Sequence, residues 1–100
     1  MLSDAEFLAG FDAGTLDCAH FDHASHVRAA WLCLRAAPFD EAAVRVRRGL
    51  LQLATAAGRP ERYDEAITVA YLRLIDRQRQ RLGDTTWEEF RVRSTGLLDR

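Results

Sequence analysis

Two histidines, His23 and His26, stand three residues apart in the stretch Phe21-Asp-His-Ala-Ser-His-Val-Arg28. Residues three and four apart are neighbours on one face of a helix. At about 100° per residue, His23, His26, Val27, Ala30 and Leu34 share a face, so both imidazoles are expected to point toward a helical interior. Two neutral imidazoles at this spacing can share one metal ion, held on the helix with little left to order. The same spacing allows a plainer reading, in which rings near a helix N-terminus hydrogen-bond the backbone, and a bare H-x-x-H does not decide between the two.

A metal needs further ligands. Asp64 falls, on helical periodicity, on the same face as Ile67, Tyr71 and Leu74. A carboxylate on a core face is costly unless paired or coordinated. Two histidines and a carboxylate with open positions form the pattern of non-heme Fe(II) sites, and similar sets hold Zn(II) or Co(II). Asp64 and Glu65 equally suit the first turn of a helix, where the dipole favours acids. Glu65 is the nearest candidate for proton transfer, although helical geometry turns it about 100° from Asp64. Arg28 should flank the histidine face, where a guanidinium would hold a substrate carboxylate bidentately or pair with an acid on a neighbouring helix. Tyr71, Trp31 and Thr68 are candidates to line a pocket, or are simply core. His20 lies in the loop before the pair, where periodicity does not place it.

The elements that must position these groups are marked by caps and breakers. Ser3-Asp-Ala-Glu6 is a capping box ahead of Phe7, Leu8 and Phe11, and Gly14 closes that helix. After a loop from Thr15 to Phe21, Asp22 caps a second helix reaching about Ala37, and Pro38 ends it. Asp40 is expected to cap a third, with Ala43, Val46, Leu50, Leu53, Ala54 and Ala57 inward and Gly58 just past its end. Pro60 suits the first turn of a fourth, running to Leu82 and burying Tyr63, Ile67, Ala70, Tyr71 and Leu74 before Gly83. Thr86-Trp-Glu-Glu89 is a second capping box, opening a short helix with Trp87 and Phe90 inside and Gly96 at its end. No stretch alternates at period two. The expected fold is all-α, one domain over residues 1–100, a compact bundle of about five helices.

Composition bounds the rest. The chain is 48% hydrophobic and 29% charged with a formal net charge of -1, which argues against general attraction to nucleic acid or anionic membrane. No apolar run is long enough to span a bilayer, and the N-terminus has no signal-peptide pattern, so a cytoplasmic location is expected. All the Lys and Arg positions are Arg, a usage typical of GC-rich genomes. Cys18 and Cys33 have no metal or redox spacing; Cys33 reads as a small core residue, and a disulfide between them is not expected in a reducing compartment. No P-loop, Rossmann fingerprint, nucleophile elbow or zinc-finger spacing occurs.

The string Phe21-Asp-His23-Ala-Ser-His26-Val-Arg28-Ala-Ala-Trp31, followed about forty residues on by Tyr63-Asp-Glu65-Ala-Ile-Thr68, resembles a family of small bacterial helical proteins. Members of that family look like F-x-H-x-x-H-L-R-x-A-W and then Y-H-E-T-I-T. The resemblance runs from about Phe11 to Leu98. A third family histidine falls on Asp64 and its first threonine on Ala66, so the resemblance implies either an altered ligand set or a degenerate site. The family also tends to carry a further C-terminal segment beyond the position of Arg100. The chain is also similar to small proteins of the actinobacterial route to the quinaldic-acid unit of thiopeptide antibiotics, where an indole-pyruvate derivative is ring-opened toward a quinoline. The residues point to a metal-dependent enzyme with one Fe(II), Co(II) or Zn(II) on His23, His26 and Asp64, and the resemblance implies its finer form, an oxygenase acting on an indole-pyruvate-like organic acid. The other expectation is a non-catalytic helical interaction domain, a degenerate relative of a metal-binding family. With so small a core, self-association as a homo-oligomer is also open.

Overall fold

The structure, a computed structural model, describes residues 2–98. It is all-α, as expected, with six helices among the described residues: α1 (Asp4–Ala13), α2 (His23–Ala36), α3 (Phe39–Ala56), α4 (Glu65–Leu82), α5 (Trp87–Arg93) and α6 (Thr95–Leu98). Short 3₁₀ turns at Cys18–His20 and Pro60–Arg62 precede α2 and α4. The helix starts follow the capping chemistry. Ser3 Oγ accepts the Glu6 N–H at 3.1 Å while Glu6 accepts the Ser3 N–H at 3.0 Å, and Thr86 and Glu89 repeat the exchange at α5. Asp22 Oδ1 accepts the Ser25 N–H at 2.9 Å and starts α2.

α2 is the central element, in contact with α1, α3, α4 and α6. Its middle, from Ala29 to Leu34, is buried without a break, so the expected single stripe of Val27, Ala30, Trp31 and Leu34 becomes a helix wrapped on all sides. Phe7 and Phe11 of α1, Ala42, Val46 and Leu53 of α3, Leu72 and Ile75 of α4, and Phe90 of α5 close around it as one core. α1 lies tight on α3 because Gly49 presents no side chain: a Cβ there would come within 2.2 Å of the Phe11 ring.

Four boundaries and faces differ from expectation. Asp40 does not cap α3; the helix starts one residue earlier, at Phe39, with Pro38 in the cap position and no side-chain cap bond. Pro38 at ψ 159° turns the chain directly into the helix, and Asp40 and Glu41 fall in its first turn, where the dipole still favours them. The fourth helix does not begin at Pro60. Tyr63 and Asp64 are extended, Asp64 at φ -123°, and α4 starts at Glu65 with Asp64 as its N-cap. The buried face of α4 is also rotated by about one residue. Leu72 and Ile75 are in the core, whereas Ile67 and Leu74, expected inside, are 53% and 44% exposed. Finally, Gly96 does not end the fifth helix. Buried Ser94 does, accepting a hydrogen bond from Gln78 Nε2 at 3.2 Å, and Gly96 lies within α6.

Candidate functional site

The first turns of α2 and α4 face each other across a cavity of about 350 Å³, with α3 forming its back wall. Its inner part is apolar and buried: Val27 and Ala30 from α2, Val46 and Leu53 from α3, Leu72 and Ile75 from α4. Its outer part is polar. His23 and His26 come from α2, Arg62, Tyr63 and Asp64 from the connection into α4, Thr68 and Tyr71 from α4, and Cys18 from the first 3₁₀ turn. A concave, mostly apolar space with a few convergent polar groups is the usual form of a small-molecule site.

Each imidazole is oriented by a backbone carbonyl. The Nε2–H of half-buried His23 donates to Leu97 O at 2.8 Å, and the Nδ1–H of His26 donates to Asp22 O at 2.8 Å. A carbonyl only accepts, so each bond puts a proton on that nitrogen and, in a neutral His23 ring, leaves the lone pair on Nδ1. Neighbouring rings fix the planes. His23 meets Tyr71 edge-on at 5.3 Å between centroids, and His26 meets Phe21 edge-on at 4.7 Å. Phe21 in turn stacks toward Phe7 and Phe11, which anchors the loop before α2 to the core.

Asp64 lines the same cavity as the histidines, but as a cap. Its Oδ1 accepts the Ile67 N–H at 2.9 Å, and its backbone carbonyl accepts the Thr68 hydroxyl at 2.8 Å. Among the described residues, no three His, Cys, Asp or Glu side chains are grouped as they would be around a metal ion. The Asp22 carboxyl, at the other helix start, is held below the usual carboxylate range by the Ser25 backbone N–H and hydroxyl.

Of the remaining residues expected at the site, Tyr71 lines the cavity, and Arg28, Trp31 and Glu65 do not. Arg28 turns to α1. It donates to Asp4 at 2.8 Å and to Leu2 O at 3.0 Å, and its guanidinium lies 4.6 Å from the Phe7 ring centre. Arg28 sits 100° or more around the helix from both histidines, so it faces a different neighbour. Trp31 is core, packed against Trp87 and Phe90 at 5.5 and 5.6 Å between centroids, with Arg35 over its ring. Glu65 points to α3, where Arg47 engages both its oxygens and the Tyr63 hydroxyl donates at 2.6 Å; Arg47 keeps its carboxyl below the usual range. His20 is exposed and bonded to Asp17 at 2.6 Å.

Arg62 and Tyr63 reach the cavity because the chain is not α-helical there: Asp64 caps α4, which starts only at Glu65. That signal was present in the sequence, since Asp followed by Glu and an apolar run is a helix start. Compared with protein-family models, with curated proteins and with solved structures, the chain has no match.

Proposed function

We propose that this chain is a small enzyme that binds a small organic molecule in the cavity between α2, α3 and α4, with a divalent metal ion on His23 and His26 at its polar end. The observation that carries the reading is the bonding of the two rings. Metal-ligating histidines nearly always donate their other ring N–H to a carbonyl or carboxylate, which fixes tautomer and orientation. Both rings here do so, to Leu97 O and Asp22 O. The pair therefore suits an ion in donor type and in the carbonyl bonding of the rings. Asp64 uses one oxygen on the α4 cap and does not complete a group of three with the pair, so its role as third ligand rests on the sequence pattern and the resemblance. An ion of Fe(II), Co(II) or Zn(II) would supply Lewis-acid polarisation of a substrate oxygen or, as Fe(II), oxygen activation. The apolar inner wall would hold the body of the ligand and exclude water from it. An oxygenase acting on an indole-pyruvate-like acid is the finer form of this proposal, and it too rests on the resemblance.

The test is elemental analysis of protein purified without a histidine tag, repeated with His26→Gln. His26 is the better position to change, because His23 also ties Leu97 of α6 to α2. The expected result is close to one ion per chain in the parent and a large loss in the variant. No metal in the parent, and no spectral change on anaerobic addition of Co(II), would remove the metal from the reading.

A second reading, a non-catalytic helical interaction domain, is supported by the exposure of Ile67 and Leu74, one above the other on α4. It expects no stoichiometric metal and no small-molecule ligand.

A further inference from the structure

We infer that Arg62 determines the class of molecule the cavity accepts: an aryl or similarly apolar monocarboxylic acid, its carboxylate on the Arg62 guanidinium and its ring against the inner wall. The inference rests on the reading of the cavity as a ligand site. It does not depend on the metal.

Arg62 is the only cation among the described residues that line the cavity. Its bonding differs from that of six of the other described arginines. Arg28, Arg35, Arg45, Arg47, Arg79 and Arg91 each pair with a carboxylate on the protein. The Arg62 side chain has no hydrogen bond, ion pair or ring contact among the described residues. It sits at the end of the Pro60–Arg62 turn, whose backbone is fixed by the Arg62 N–H to Arg59 O bond at 3.0 Å, so the base of the side chain is held while its head is available. A guanidinium offers a planar fork of donors that matches a carboxylate through two parallel hydrogen bonds.

The groups around it define the rest of the ligand. Glu65 is committed to Arg47 and Tyr63 and does not compete for Arg62. Asp64 is the one acid lining the cavity, and its charge lies at the start of α4, where the helix dipole offsets it. Without an ion in the cavity, a single guanidinium beside one carboxylate suits a monoanion and disfavours a dianion such as a phosphate ester. The inner wall of Val27, Val46, Leu53, Leu72 and Ile75 offers no polar side chain, so the body must be apolar. A volume of about 350 Å³ is at the small end of ligand sites and suits one or two rings. The Tyr71 hydroxyl, with no hydrogen bond among the described residues, gives a second polar contact beside His23.

The experiment is a titration of the full chain with phenyl-, indolyl- and naphthylacetates and the corresponding amides, followed by calorimetry and by amide NMR shifts, with and without added Zn(II). It is run on the parent, Arg62→Gln and Arg28→Gln. The expected result is that the acids bind about tenfold or more tighter than their amides, as a charge-assisted pair requires. Arg62→Gln removes that preference and leaves amide affinity unchanged, and Arg28→Gln keeps it. Equal binding of acid and amide by the parent overturns the inference while the cavity reading stands. So does a preference that survives Arg62→Gln, and one that survives only with Zn(II) present would put the carboxylate on the ion. Failure of every acid and amide to bind or to shift cavity residues overturns the cavity reading and the inference together.

Discussion

Arg28 and Arg62 carry the same charge, and their surroundings give them different work. Arg28 has a side chain only 12% exposed, bound to Asp4 and stacked on Phe7, so it holds α1 to α2. Arg62 stands at the cavity with its donors uncommitted among the described residues. The same contrast separates the two cysteines. Burial pushes the Cys33 thiol up to about 11, whereas Cys18 is exposed at the cavity. Because the thiolate is the nucleophile, Ellman's reagent at pH 8 is expected to titrate one thiol quickly and the second only on unfolding. Rapid reaction of both in the native protein would show that the core around Cys33 opens readily.

At the scale of the elements, the site depends on where α4 begins. Asp64→Ala removes the cap bond to Ile67 N and is expected to cost about 1 kcal/mol in urea unfolding, with Asp64→Asn costing less because the amide oxygen still caps. The pair of variants also separates two roles. A carboxylate that binds metal would show weaker metal affinity in Asp64→Asn with stability nearly kept, and a cap alone would leave metal affinity unchanged. The approach of α1 to α3 is a second element-scale determinant. Gly49→Ala would drive a methyl into the Phe11 ring and is expected to destabilise by about 1–3 kcal/mol or more, since neither helix can move without opening the core. A neutral result in the same denaturation experiment would mean that α1 is loosely docked.

For the molecule as a whole, many carboxylates are held below their ordinary values by caps and arginines. Asp12 is held there by Arg45, Asp22 by Ser25, Glu65 by Arg47, Glu88 by Arg91, and Glu6 and Glu89 by the backbone N–H groups they cap. Each folded-state value lies below the unfolded one. The stabilisation is therefore present above the ordinary carboxylate range and is lost as pH falls through the lowered values. Thermal unfolding followed by circular dichroism is expected to show a flat melting temperature near neutrality and a steady fall below about pH 4, moderated because most of these pairs are exposed. A melting temperature unchanged down to pH 2 would show that the caps and pairs contribute little.

Much of this was legible in the sequence because it is local. The capping boxes at Ser3 and Thr86, the Asp22 cap and the glycines after α1, α3 and α4 act within a few residues of themselves, so their spacing alone gives an all-α chain, both ends of α1, the starts of α2 and α5 and the ends of α3 and α4. The His23–His26 spacing likewise fixed that both rings share a face of one helix. What tertiary structure alone decided is which face meets which neighbour. α4 carries two apolar stripes about one residue apart, and only packing against α2 chose Leu72 and Ile75 over Ile67 and Leu74. The same packing sent Arg28 to α1, Trp31 to α5 and Glu65 to α3, and brought Arg62 to the cavity. Periodicity ranks positions around one helix axis, but the rotation of that axis against its neighbours is set by side-chain fit across the interface, between residues far apart in the chain.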